Sequence, residues 1–80
     1  MKFSVADRKT LPDGTTRVML DVPKEELIYI GNILESFEGL CNYTTPNKNE
    51  PFLQVDVTND YLIDFNKLIK ALLDWNYEEV

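Results

Sequence analysis

Two apolar stripes of helical period, each entered from a stretch of alternation, constrain this chain more than any other feature. In Arg17-Val18-Met19-Leu20-Asp21-Val22, the residues Val18, Leu20 and Val22 share one side, the mark of a half-buried strand. After Pro23, Leu27, Ile30, Leu34 and Phe37 recur at helical spacing, with Ile28 and Ile33 widening the stripe. This predicts a helix from Pro23 to about Phe37. Proline suits the first turn, where its missing N–H is not needed. Glu25 and Glu26 lie at the positive end of the macrodipole, and Gly39 supplies a left-handed stop.

The second half repeats the scheme. Phe52-Leu53-Gln54-Val55-Asp56-Val57 alternates, with Leu53, Val55 and Val57 directed inward. A helix is expected from about Asp60 to Trp75, in which Leu62, Phe65, Ile69 and Leu72 form one line and Tyr61, Leu68 and Trp75 its neighbour. Thr58, Asn59 or Asp60 offers a capping oxygen, and Trp75 is expected to close over the core or, if the helix ends earlier, to form with Tyr77 an exposed aromatic anchor for a partner. Leu40 to Thr45 reads as a weaker strand, joined to the next by the turn Pro46-Asn47-Lys48-Asn49-Glu50-Pro51. Upstream, Leu11-Pro12-Asp13-Gly14-Thr15 is a turn that pairs Phe3 to Lys9 with the strand near Thr16 as a hairpin.

The order is thus β-(β-α-β-β-α), most of a split βαβ, ferredoxin-like layout. The fold class is α+β, a two-layer sandwich with an antiparallel sheet and both helices on one face, because each strand has a single apolar side. The chain divides into an N-terminal extension (1–16), a core (17–75) and an acidic tail (76–80). The strand that would close a complete unit after the second helix is missing, and Asn76-Tyr77-Glu78-Glu79-Val80 is too short and acidic to supply it. The N-terminal hairpin is the candidate replacement; an unfilled edge would invite another chain.

From Arg17 to about Trp75 the chain resembles a family of short bacterial proteins known only as a domain of unknown function. The resemblance rests on Val22-Pro23-Lys24-Glu25-Glu26, on Ile33-Leu34-Glu35-Ser36-Phe37-Glu38-Gly39-Leu40, on Leu53-Gln54-Val55-Asp56-Val57 and on Leu68-Ile69-Lys70-Ala71-Leu72-Leu73. It implies no activity, cofactor or catalytic residue. The architecture also resembles the small amino-acid-binding ACT regulatory domains, in which a glycine-containing turn after the first strand helps to bind ligand at a dimer interface. The corresponding turn here, Asp21-Val22-Pro23-Lys24, has no glycine, so this second resemblance implies fold alone.

Composition excludes several functions. Eighty residues support one core. No histidine is present, which removes the usual neutral-pH base, the commonest metal ligand and every Ser/His or Cys/His arrangement. A formal charge of −6 argues against a nucleic-acid partner. The longest apolar run falls far short of the roughly 20 residues that span a bilayer, and one cysteine makes no internal disulfide; a cytoplasmic protein without cofactor or membrane partner is expected.

By alternation, the open sheet face presents Arg17, Met19 and Asp21, then Asn42 and Thr44, then Phe52, Gln54 and Asp56. Arg17, Asp21, Asn42, Gln54 and Asp56 are the candidate ligand-binding set. Two readings follow. In the first, the protein is a non-enzymatic interaction or regulatory module that works as a homodimer, pairing edge strands or stacking sheet faces, and binds a small metabolite or a protein. In the second, Asp21 and Asp56 together hold a hard cation or a substrate ammonium, with Arg17 or a lysine as electrophile. Cys41 reads as a small core residue rather than a nucleophile. Tyr43 and Phe52 read as cross-strand packing rather than as a base-stacking platform.

Overall fold

The computed structural model describes residues 1–37, 39–45 and 49–75. Its elements run β1 (Ser4–Thr10), β2 (Thr15–Asp21), α1 (Lys24–Ser36), β3 (Asn42–Thr44), β4 (Phe52–Thr58), a single 3-10 turn (Asn59–Tyr61) and α2 (Leu62–Asp74). The four strands form one antiparallel sheet in the order β1-β2-β4-β3. A ferredoxin-like unit has this arrangement, with one change of connectivity. The slot beside β2 that a strand following α2 would fill is taken by β1, delivered from the other end of the chain. The expected hairpin therefore does occupy that slot.

Its turn follows from Pro12-Asp13-Gly14. Gly14 adopts φ +83°, open to glycine at no steric cost. The Asp13 carboxylate accepts from the Thr15 N–H at 3.1 Å, and the Leu11 N–H donates to the Thr15 carbonyl at 2.7 Å. The tip is also tied to the start of the second helical segment. The Asn59 N–H donates to the Gly14 carbonyl at 2.9 Å, and the Thr16 hydroxyl donates to Asn59 Oδ1 at 2.7 Å.

The core lies between the sheet and the helices. Val18, Leu20, Val22, Leu53, Val55 and Val57 meet Ile30, Leu34, Phe65, Ile69 and Leu72, all of them buried. Phe3, from the segment outside the expected core, joins them. Gly39 sits at φ +84°, left-handed as expected but in the turn beyond the C-cap Phe37, where the Leu40 N–H donates to the Phe37 carbonyl at 3.0 Å, and not at the helix end itself.

Several expectations are corrected. Ile28 is 75% exposed, and Phe37, at the end of α1, is 47% exposed, so the buried stripe of that helix is narrower than its apolar pattern. No side chain caps either helical segment: Pro23 stands at the N-cap of α1 and Thr58 at that of the 3-10 turn, neither with a side-chain bond. The second helix starts later than Asp60 and ends at Asp74, where Trp75 turns into extended backbone and remains 46% exposed instead of closing the core. Tyr61 is exposed as well. The acidic tail 76–80 and Pro46-Asn47-Lys48 in the turn lie outside the described residues.

The largest departure concerns Glu26. A first-turn glutamate is ordinarily a solvated partner of the macrodipole, yet Glu26 is fully buried. Its carboxylate accepts from the Lys2 N–H at 2.8 and 3.0 Å and from the Phe3 N–H at 3.1 Å. The Met1 ammonium meanwhile donates to the Leu72 carbonyl at 3.1 Å and to that of Trp75, a cation at the negative end of α2. Residues 1–3 thus bridge the beginning of one helix and the end of the other. Replacing Glu26 by alanine leaves two backbone donors without their acceptor, and an unsatisfied buried donor costs about 1–3 kcal/mol. Urea unfolding of Glu26→Ala is therefore expected to show a loss of about 2–3 kcal/mol, a large share of what so small a core supplies. An unchanged midpoint would mean that water replaces the carboxylate.

Candidate functional site

The sheet face turned away from the helices carries the polar alternates of the core strands. Pairing sorts them into rows. Lys9, Arg17, Asp56 and Asn42 lie abreast across the four strands; the next row is Asp7, Met19, Gln54 and Thr44; the last is Ser4, Asp21 and Phe52. All five candidate residues are on this face. Asp21 and Asn42 are exposed, whereas Arg17, Gln54 and Asp56 are half-buried along with Met19 and Phe52.

Geometry divides the five. Arg17 and Asp56 stand opposite each other on β2 and β4 and make a two-toothed ion pair, Nε to Oδ1 at 2.9 Å and Nη2 to Oδ2 at 3.2 Å. Hydrogen bonding to the carboxylate raises the guanidinium's pKa further above its ordinary value. Asn42 adjoins Asp56 and Gln54 lies one row on. Asp21, however, is paired with Phe52, four residues along the strand from Asp56, a separation of about 13 Å at strand rise. The two carboxylates therefore do not converge on one cation, and Asp56 already has a cationic partner. Among the described residues, no group of three or more Cys, Asp or Glu side chains is disposed to hold a metal ion.

Tyr43 and Phe52 are on opposite faces. Tyr43 pairs with Val55 and so points toward the helices, where Gly31 of α1 leaves room for its ring: a Cβ at that position would come within 3.3 Å of the hydroxyl. The hydroxyl donates to Glu35 Oε1 at 2.5 Å, which raises the phenol's pKa. Phe52 pairs with Asp21 on the open side. No base-stacking pair results.

Concavities among the described residues lie off this face. A cleft of about 400 Å³ beside β3 is lined by Leu34, Glu35, Gly39, Cys41, Asn42 and Tyr43. A groove of about 320 Å³ between α2 and the segment that follows α1 is lined by Phe37, Leu40, Asp64 and Leu68. Cys41 packs half-buried against the core, as its strand context suggested, and desolvation raises the pKa of its thiol. Sequence reasoning missed two features: the buried carboxylate of Glu26, and the ion pair formed by two of its own candidates. The latter was within reach, since pairing the two alternating strands in antiparallel register would have set Arg17 against Asp56.

Residues 20–74 match the family described as Domain of unknown function (DUF4911). The chain belongs to that family. No curated protein and no solved structure shows a match. The DUF4911 match holds α1, β3, β4 and α2 but only the last two residues of β2. Glu26 and Asp56 thus lie inside it, while their partners Lys2, Phe3 and Arg17 lie upstream. No helix among the described residues is long and apolar enough to cross a membrane.

The state of the thiol has a direct consequence. A raised pKa means less thiolate at any given pH, and the thiolate is the nucleophile. Alkylation of Cys41 by iodoacetamide, followed from pH 7 to 10, is expected to be slower than that of a free thiol and to rise with a midpoint displaced to higher pH. A midpoint below that of the free thiol would show that a nearby cation outweighs burial.

Proposed function

We propose that this DUF4911 protein is a non-catalytic association module whose working surface is the open sheet face and whose partner is a second copy of the chain. The observation that carries this reading is the character of the centre of that face. Met19, Phe52 and Gln54 are half-buried around an organised Arg17–Asp56 pair, on a sheet side that neither helix covers. Chemistry at this surface lacks its usual agents: the sequence has no histidine, and Asp56 is engaged by Arg17.

Stacking of faces is favoured over pairing of edges. The edge strand β1 is broken in register between Val5 and Asp7 and carries Asp7, Arg8 and Lys9; the other edge, β3, is three residues long. A bulge, charges and shortness are the means by which strands avoid adding a foreign neighbour.

Size sets the strength. Four strands of at most seven residues span a planar footprint of only about 450 Å², small against interfaces that bury roughly 1,200–2,000 Å² of accessible surface. The expected dimer is weak and concentration-dependent. Light scattering behind a sizing column, from about 10 µM to about 1 mM, spans the range in which such an interface assembles. The mass is expected to climb toward that of two chains, and Met19→Asp to hold it at one chain without changing the thermal midpoint by more than a few degrees. A wild type that stays monomeric throughout would sink the proposal.

A further inference from the structure

Resting on that reading, we infer the orientation of the second copy: the two sheets stack about a two-fold axis that runs along the strands, midway between β2 and β4, and join the two Arg17–Asp56 pairs into one four-membered ring of alternating charge. Complementarity on a surface of fixed register selects this orientation. An isologous interface brings each patch against itself through the symmetry axis, so the rows on the open face determine which side chains meet.

An axis along the strands exchanges β2 with β4 and β1 with β3 and keeps every residue in its own row. Arg17 then meets Asp56 of the partner subunit, and Asp56 meets Arg17 of the partner subunit. The rest of the face follows from the same pairing. Met19 lies over glutamine, Asp7 over threonine, Lys9 over asparagine and Asp21 over phenylalanine, and no two like charges are opposed. Facing sheets lie about 10 Å apart, a gap that an arginine and an aspartate reaching from opposite sides can close.

An alternative aligned stacking, centred on the same face, has its axis across the strands at the Met19 row. It exchanges the first row with the last, so that Arg17 faces Asp21 of the partner subunit. The same operation sets Asp7 against its own copy and leaves Asp56 without a partner-subunit cation. Like charges opposed across an interface are strongly unfavourable. For two copies of a chain that already carries a net charge of −6, the arrangement selected is the one that both opposes no carboxylates and sets every Arg17 and Asp56 against its opposite charge.

The test uses polarity. In Arg17→Asp/Asp56→Arg, the cross-strand pair persists with its charges exchanged. About an axis along the strands, this variant faces itself as favourably as the wild type does, but meets wild type with arginine against arginine and aspartate against aspartate. 15N-labelled wild type is held dilute, where the monomer dominates, and unlabelled protein is added while the amide resonances of residues 17, 19, 54 and 56 are followed. Unlabelled wild type is expected to shift them, and the exchanged variant to do so only at concentrations at least about tenfold higher, although alone it dimerises within a few-fold of wild type.

Equal shifts from both proteins would overturn the ring, because the charges would then lie outside the contact. A folded variant that is monomeric alone would overturn the axis, since about an axis across the strands the aspartate introduced on β2 faces Asp21 of the partner subunit. Should the exchanged pair compromise folding, Asp21→Lys on the exposed last row decides independently: dimerisation is retained for the axis along the strands and lost for the axis across them. A wild type that never self-associates defeats the association module itself, an outcome distinct from all of these.

Discussion

The carboxylate of Glu26 is the interaction on which the remaining architecture turns. It lies in the core, at the start of α1, and accepts from backbone N–H groups of residues 2 and 3. Those residues lead directly into β1, the strand that fills the empty slot beside β2. Without a fixed starting point, β1 would be an edge strand with little apolar surface to hold it, since Val5 is its single half-buried residue and the rest are exposed. The carboxylate, the buried ring of Phe3, the ammonium on the end of α2 and the Arg8 bond to Asn66 Oδ1 at 2.8 Å anchor it from both helices. A glutamate buried for this purpose is consistent with the rule that a carboxylate withdrawn from water needs hydrogen-bond donors in its place.

Filling of the slot beside β2 by β1 also decides which surface of the sheet stays open. Because both edges are poor templates, the outer face is what the molecule presents. Its centre differs from an ordinary solvated sheet in that Arg17 and Asp56 hold each other in a planar, two-toothed geometry. An exposed ion pair contributes little to stability. Under the proposed association its value is directional: the charges have fixed positions that a second copy can match.

Much of this is legible in the sequence, for reasons that can be stated residue by residue. Val18, Leu20, Val22 and Leu53, Val55, Val57 alternate so strictly that only one face can be inward, and the open-face set follows by subtraction. Phe65, Ile69 and Leu72 determine the register of α2 in the same way. The departures have separate origins. Phe37 and Trp75 are apolar residues whose burial depends on where their helix stops, which local periodicity does not encode; with the helices ending at Ser36 and Asp74, neither reaches the core, whereas Ile28, inside α1, lies off the buried line of Ile30 and Leu34. The burial of Glu26 gives no local signal because its partners are distant in sequence and are backbone groups, which carry no side-chain signature. The separation of Asp21 from Asp56 depends on the register between two strands that come from different halves of the chain.

The unusual origin of the closing strand has a kinetic meaning. In a unit closed by a strand after α2, the last pairing would join the two ends of the chain and would wait for everything between them. Here the corresponding pairing runs from Thr10 against Thr16 to Ser4 against Asp21, across the tight turn at Pro12-Asp13-Gly14. A long-range closure is thereby exchanged for a local hairpin, leaving the β2–β4 ladder as the principal non-local event of folding. Chains dominated by local contacts surmount a smaller loop entropy and fold faster at equal stability. The same 80 residues, threaded in this order, therefore spend less time with an unfilled sheet edge exposed than the conventional order would allow.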